Sequence, residues 1–373
     1  MALVLNEEQQ MLKDAAHDFL GDRAPVSHLR GIRDGGNPDG FSRDLWSEMV
    51  DMGWTAILVP EEHGGLEYGY TGMGIVLEET GRTLTPSPLL GTALAGVAAL
   101  RLAGTAAQCA DILPRVASGE TLLALACDEA AQHKPARVST RAQQQDEGFR
   151  LTGSKTAVLD GHVADTFIVS ARTDSGLSLF LVPADSTGVT VERYPELDIH
   201  AAAKVSFDKV ALGNEQLLGE LNQGEALLNQ ILDVARIGCS AELLGIAQEA
   251  FERTLDYLKE RKQFGVPIGS FQALQHRAAI LFGEIELSKS LVLKALQSLD
   301  ENPADCAEIA SLAKAKVGNT ACLATAEAVQ MHGGIGMTDD FEIGFFLKRW
   351  RILDTLYGDR YFHLDRYARC RGY

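Results

Sequence analysis

The sequence predicts an α+β protein in three parts: a helical N-terminal domain over residues 1–118, a middle β-domain over 119–221 and a C-terminal helix bundle over 222–373. Three observations carry this. Before about Leu113, apolar residues recur at helical spacing. Between about Thr121 and Leu218 the texture changes to short apolar and β-branched runs separated by turn residues, as in a small barrel or sandwich. After about Asn222 three long periodic segments follow with short connections, the pattern of an antiparallel bundle. A chain of 373 residues is also too long for one small core.

Taken in order, "NEEQQMLKDAAHDFL" offers Asn6 as an N-cap, acids in the first turn and an apolar stripe of Met11, Leu12, Ala15 and Phe19. "DLWSEMVDMGW" predicts a second helix, stopped by Gly53. "ILVPEEHGGLEYG" is a loop punctuated by Pro60, Gly64 and Gly65. "GMGIVLEETGRTL" predicts another helix. So does the apolar run Leu89 to Leu100, whose twelve residues suit a buried helix better than a bilayer span. "LLALAC", "FRLTGSKTAVL", "ADTFIVSAR", "SLFLVP", "GVTVERY" and "AKVSFDKVAL" read as strands. The bundle segments begin at about Gly224, Ser270 and Asp305.

A net charge of −17 argues against nucleic acid or an anionic membrane as the main partner, since both would be repelled. It leaves room for an anionic small ligand held by local basic residues. Six scattered cysteines with no C-x-x-C pair read as reduced thiols. The N-terminus lacks the basic start and long apolar core of a signal peptide, so a cytoplasmic location is expected.

Two motifs point to chemistry. In "RKQFGVPIGSFQALQ", Arg261 can pair with a phosphate, Phe264 offers a ring face and Gly265 permits close backbone approach. In "QMHGGIGMTDDFEI", paired glycines let backbone N–H groups approach an anionic or planar cofactor.

With these motifs the chain resembles the acyl-CoA dehydrogenase family. The resemblance runs nearly the whole length, through "GWTAILVPEEHGG", "GIVLEETGR", "LTGSK", "LDVARIG", "RKQFGVPIGSFQ" and "QMHGGIGMT" in that order. It implies a C-terminal four-helix bundle, FAD as cofactor, an acyl-CoA thioester as substrate, and dimers or tetramers. It also implies that FAD lies across a subunit boundary. The neighbour-facing positions would be Arg261, Gln263 and Phe264 with Gln330, Gly333 and Gly334, backed by Ile268, Phe271 and Gln272. All are intact.

The positions facing the chain's own flavin depart from the pattern. The family's Thr-Glu-Pro falls on Cys127-Asp128-Glu129, and "AAQHKP" follows with no Gly-Ser-Asp. The usual Lys-x-Trp-Ile-Thr/Ser is Lys155-Thr156-Ala157-Val158-Leu159, so the aromatic wall and the hydroxyl partner are gone, and Leu159 cannot donate to a flavin. The reaction removes an α-proton while a β-hydride leaves for the flavin. That step needs a carboxylate in a dry site. Counting from Gly333-Gly334, the family's Tyr-Glu-Gly-Thr falls on Leu356-Tyr357-Gly358-Asp359, which puts Tyr357 at the base position. The second location used in the family, before an Arg on the first bundle helix, reads Ala235-Arg236. Asp359 is the nearest alternative base, and His363 follows one turn on.

Two functional readings stay open. In one, the chain is a subunit without its own base that completes the FAD site of a second acyl-CoA dehydrogenase chain, as in the family's α2β2 enzymes for steroid side-chain thioesters. In the other it is a self-associating FAD enzyme, a dehydrogenase or related oxidase, using a substituted base such as Asp359. A flavin-free binding module would leave Arg261 and Gly333-Gly334 without a use.

Overall fold

The computed structural model describes residues 3–302 and 305–373. The N-terminal part is helical: α1 (Glu7–Arg23), α2 (Val26–Asp34), α3 (Arg43–Asp51), α4 (Tyr70–Thr83), α5 (Val97–Ala103) and α6 (Ala106–Ala117). Asn6 caps α1 as expected and forms a full capping box with Gln9. The predicted stripe is rotated, however. Met11 and Ala15 are exposed, and α1 buries Ala16 and Leu20 with Leu12 and Phe19 packed beside them. Positions 12, 16, 19 and 20 satisfy helical spacing as well as the expected set does, so packing chose between them. "DLWSEMVDMGW" forms the third helix, because a nine-residue α2 precedes it. The run from Leu89 is buried, but it begins as a π-helix (Leu89–Gly96) before continuing as α5.

The strands are β1 (Leu123–Ala126), β2 (Arg141–Gln145), β3 (Gly148–Leu159), β4 (Thr166–Arg172), β5 (Leu177–Pro183), β6 (Val189–Pro195), β7 (Ala201–Leu212) and β8 (Leu217–Leu218). They join in one sheet ordered β6-β7-β3-β2-β4-β5-β8, with β1 parallel to β4. Between β3 and β5 lie β2 and β4, a span of roughly 14 Å in a flat sheet. Yet the rings of Phe149 on β3 and Phe180 on β5 meet edge-on at 5.0 Å. The sheet therefore curls around a core of its own. Alternation along β1 serves both sides: Ala124 and Ala126 enter that core, while Leu123 and Leu125 enter the main helical core.

The C-terminal part comprises α7 (Gly224–Glu260), a small hairpin of β9 (Lys262–Gln263) and β10 (Val266–Pro267), α8 (Gln272–Glu301), α9 (Ala307–His332), α10 (Ile343–Thr355) and α11 (Arg360–Cys370). The 37 residues of α7 pack against α4 on one side and α8, α9 and α10 on the other. Glycines allow the α4–α7 crossing. A Cβ on Gly245 would lie 1.8 Å from the Glu78 carbonyl oxygen, and one on Gly81 would lie 2.1 Å from that of Glu242. Because the obstacles are backbone atoms, Gly245→Ala must push the helices apart. It is expected to destabilise the chain by about 1–3 kcal/mol. Gly283→Ala on α8, where the added carbon meets nothing within 4 Å, serves as the control. Equal thermal unfolding midpoints for the two variants would refute the close-crossing argument.

Among the described residues no helix is long and apolar enough to cross a membrane, and no group of His, Cys, Asp and Glu side chains could hold a metal ion.

Candidate active site

The turn between α10 and α11 carries Tyr357, the position where the sequence places the expected base. Tyr357 sits there with φ 57° and Gly358 with φ 115°. A Cβ on Gly358 would come within 2.5 Å of Phe362 and 2.8 Å of His363, so glycine is needed on space and backbone alike. Two buried cations hold the turn. Arg236 on α7 donates from Nε to the Tyr357 carbonyl at 3.0 Å. Lys314 on α9 donates to the carbonyls of Asp354 at 2.9 Å and Gly358 at 3.1 Å.

Arg236 spends its remaining donors close by. Nη1 reaches Asp233 Oδ1 at 2.9 Å and Nη2 reaches His133 Nε2 at 3.0 Å. Arg366 from α11 grips both oxygens of the same Asp233, at 2.6 and 2.8 Å. His133 Nδ1 lies 2.7 Å from Asp128 Oδ2. Tyr357 is 4 % exposed and Arg236 0 %. Burial raises the Tyr357 phenol well above its ordinary pKa and lowers those of Lys314 and His133. Of the carboxyl groups near Tyr357, Asp233 and Asp128 are paired, while buried Asp160 keeps one oxygen without a hydrogen-bond partner.

Asp359 is not directed at this site. It is exposed and N-caps α11, its side chain accepting from the Phe362 N–H at 2.9 Å. That is the placement of a helix cap, wet where a desaturation base must be dry. His363 is buried beside Ser311, its pKa lowered by burial and by the cations Lys314 and Arg236.

On the flavin-facing side, Cys127 and Leu159 are both buried in the main apolar core. Lys155 Nζ donates to Glu129 at 2.8 Å, Ser170 Oγ at 2.9 Å and the Cys127 carbonyl at 3.4 Å. Glu129 in turn accepts from the N–H groups of Ser139 and Thr140, at 2.6 and 2.9 Å. Burial would raise the Glu129 pKa, but Lys155 and Thr140 hold it at about 2. The strand end that would contact a flavin is thus tied to the protein's own side chains.

The neighbour-facing positions look outward together. Phe264, with φ 52°, is 92 % exposed and meets Phe271 edge-on at 6.1 Å. Arg261, Gln263, Gln272, Gln330, Gly333 and Gly334 are exposed and Ile268 is half-buried. Tyr257 brings the two motifs to one place. Its ring stacks on His332 at 4.3 Å and its hydroxyl donates to the His332 carbonyl at 3.3 Å. Gly333 has φ 67°, and a Cβ on Gly265, Gly333 or Gly334 would meet nothing within 4 Å. The hairpin tip and the glycine turn are open cradles. Sequence reasoning missed Lys314, Asp233, His133 and Arg366. The Asp233/Arg236 spacing on α7 was a usable signal, while the Arg366–Asp233 and His133–Arg236 partnerships span 133 and 103 residues.

The acyl-CoA dehydrogenase N-terminal domain family matches residues 6–120, the middle domain 126–210 and the C-terminal domain 222–370. The chain is 30% identical over 370 residues, 95% of each chain, to the caffeyl-CoA reductase-Etf complex subunit CarC of Acetobacterium woodii. The chain belongs to the acyl-CoA dehydrogenase family. A probable acyl-CoA dehydrogenase, YngJ of Bacillus subtilis, is likewise 30% identical over 95% of each chain. Among solved structures, this acyl-CoA dehydrogenase superposes on the Tcur3481-Tcur3483 steroid ACAD with a TM-score of 0.90, 31% identity and 98% coverage of both chains. Butyryl-CoA dehydrogenase from Megasphaera elsdenii matches with a TM-score of 0.91 and 26% identity over 100% of each chain.

Membership makes the protein an FAD-dependent oxidoreductase acting on CH–CH bonds. FAD supplies the hydride acceptor in this chemistry. This acyl-CoA dehydrogenase fits it unevenly. The open cradles at Gly265 and Gly333-Gly334, beside exposed Arg261 and Phe264, suit an anionic, aromatic cofactor reaching in from outside. The buried Cys127 and Leu159 offer no hydroxyl or amide side chain to a flavin on the inner side.

Proposed function

We propose that this acyl-CoA dehydrogenase chain is the subunit without a catalytic carboxylate in a mixed α2β2 assembly. It completes the FAD site of a partner chain that carries the base and desaturates the acyl-CoA thioester. One observation carries the reading. The base position holds the phenol of Tyr357, sealed under buried Arg236, while the positions lent to a neighbour form one exposed surface. Arg261 supplies a cation for the FAD pyrophosphate, Phe264 a face for its rings, and Gly333-Gly334 backbone N–H groups. Similarity to a steroid ACAD and to the ChsE4-ChsE5 complex from Mycobacterium tuberculosis (25% identity, TM-score 0.90, 100% and 99% coverage) supports a mixed assembly and a bulky acyl group. Six free cysteines agree with a cytoplasmic location.

The test is the visible spectrum of the purified chain, alone and mixed with a co-encoded acyl-CoA dehydrogenase chain. Flavin absorbance is expected only in the mixture, and it should fall there when Arg261→Ala is used. A yellow chain with one FAD per protomer that desaturates an acyl-CoA by itself would sink the proposal.

A further inference from the structure

We infer that residues 128–137, the loop between β1 and β2, form a plug that closes this chain's own thioester site, with His133 seated at the base position. The inference rests on the reading above, in which this site does no chemistry, and adds how it is kept shut.

The His133 ring lies against the base position. It lies edge-on to Tyr357 with centroids 6.4 Å apart and to Phe362 at 5.0 Å. Its Nε2 takes the Nη2 donor of Arg236, and its side chain is 4 % exposed. Two latches hold the loop. At its start, Glu129 is bound by Lys155 and by the N–H groups of Ser139 and Thr140, which closes the loop's two ends on each other. At its middle, the chain Asp128–His133–Arg236–Tyr357 ties the tip to α7 and to the turn before α11. The loop's own residues Glu129, Ala130, Ala131, Gln132, Lys134 and Arg137 enclose a cavity of about 250 Å³, so the loop is not itself close-packed.

The chemistry of the middle latch fixes its protonation. A guanidinium has donors only, so His133 Nε2 must be the accepting nitrogen and Nδ1–H must face Asp128. Neutral imidazole alone satisfies both. Protonation would set an N–H against the guanidinium of Arg236. Burial lowers the His133 pKa; Asp128 on its own loop favours the charged form, while Arg236 on α7 and Lys314 on α9 oppose it. Asp233 beside Arg236 is shared with Arg366 of α11, His363 of the same helix is itself held neutral, and Tyr357 is an uncharged phenol. Acid should therefore release the plug.

Hydrogen–deuterium exchange on the isolated full chain tests this. The amides of Lys134 and Arg137, which donate to Asp128 Oδ1 and to the Lys134 carbonyl, are expected to be protected at about pH 7, and to exchange about tenfold faster or more in His133→Ala and in Glu129→Gln, the equivalent of one lost hydrogen bond. With intrinsic exchange rates corrected for, protection in the unmutated chain should fall toward about pH 5, and His133→Ala should lack that pH dependence. Crotonyl-CoA should bind the unmutated chain more weakly than His133→Ala by at least about tenfold. The inference is overturned if the amides of Lys134 and Arg137 in the unmutated chain exchange at unstructured rates, or if neither variant changes them. It is also overturned if crotonyl-CoA binds the unmutated chain as tightly as the variant. Protection with no flavin in any mixture would instead overturn the subunit reading and leave the plug standing.

Discussion

Replacing Arg349 with alanine is expected to destabilise the chain by about 3–5 kcal/mol, the range for stripping the cation from a buried ion cluster. Arg349 on α10 bonds Glu242 on α7 at 2.7 Å and Asp198 in the β6–β7 connection at 2.8 Å, with all three residues buried. One guanidinium thus joins the sheet to two helices. Burial would raise the Asp198 pKa, but His200 and Arg349 hold it at about 2. A depressed carboxylate pKa means stability that is present above the unfolded value and lost as pH falls through the folded one. The pairing with Arg349 is therefore fully in force at neutral pH. Denaturant unfolding of Arg349→Ala at neutral pH measures the loss. A change below about 1 kcal/mol would show that water reaches the abandoned carboxylates. Combining Arg349→Met with Asp198→Asn and Glu242→Gln should recover much of the loss, because none of these three positions then carries a buried charge.

The second large effect has the opposite sign. Asp160 follows Leu159 at the end of β3, is buried, and has no hydrogen-bond partner for Oδ2. Burial raises its pKa from 3.8 to about 7. Arg349 partly offsets that, while Glu242 and Asp198 add to it. A carboxyl whose folded pKa is raised contributes most below its unfolded pKa, and that contribution is lost as pH rises through the folded value. Across the window from about pH 4 to about pH 7 the chain should lose on the order of 4 kcal/mol from this one group. Asp160→Asn removes the titration, and asparagine tolerates the left-handed φ of 54° found there. Its stability advantage is expected to grow from about 1–2 kcal/mol near pH 5 to about 4 kcal/mol above pH 7, and then level off. A stability difference between Asp160→Asn and the unmutated chain that stays flat from about pH 4 to 8 would refute the buried-acid assignment.

Much of the fold was legible because its signals are local. Strand-like runs separated by turn residues, Asn6 before an acidic first turn, and long periodic segments each report on their own stretch of chain. The α1 stripe was misplaced because two residue sets fit the same helical period, and only the partner surface, here α4, selects one. The two motifs proposed to face a neighbour stood out for a related reason. Arg261 to Gln272 and Gln330 to Gly334 are contiguous in sequence, and the roles proposed for them rest on backbone freedom and donor chemistry at each position.

By itself the sequence determined which groups are present. An arginine, an exposed aromatic and a glycine pair stand where a shared cofactor would be gripped, and a tyrosine stands where a base would be. The tertiary structure alone decided what surrounds that tyrosine. Residues 128 and 133, residue 236, residue 314, and residues 357 and 366 lie in four stretches far apart along the chain, and nothing in their local patterns brings those stretches together. The same holds for Asp359. A lone aspartate two residues past the base position can be a base or a helix cap, and only the start of α11 at Arg360 made it a cap. Burial and charge pairing are sums over distant neighbours, so whether a side chain reacts or is locked depends on contacts that only the folded chain makes.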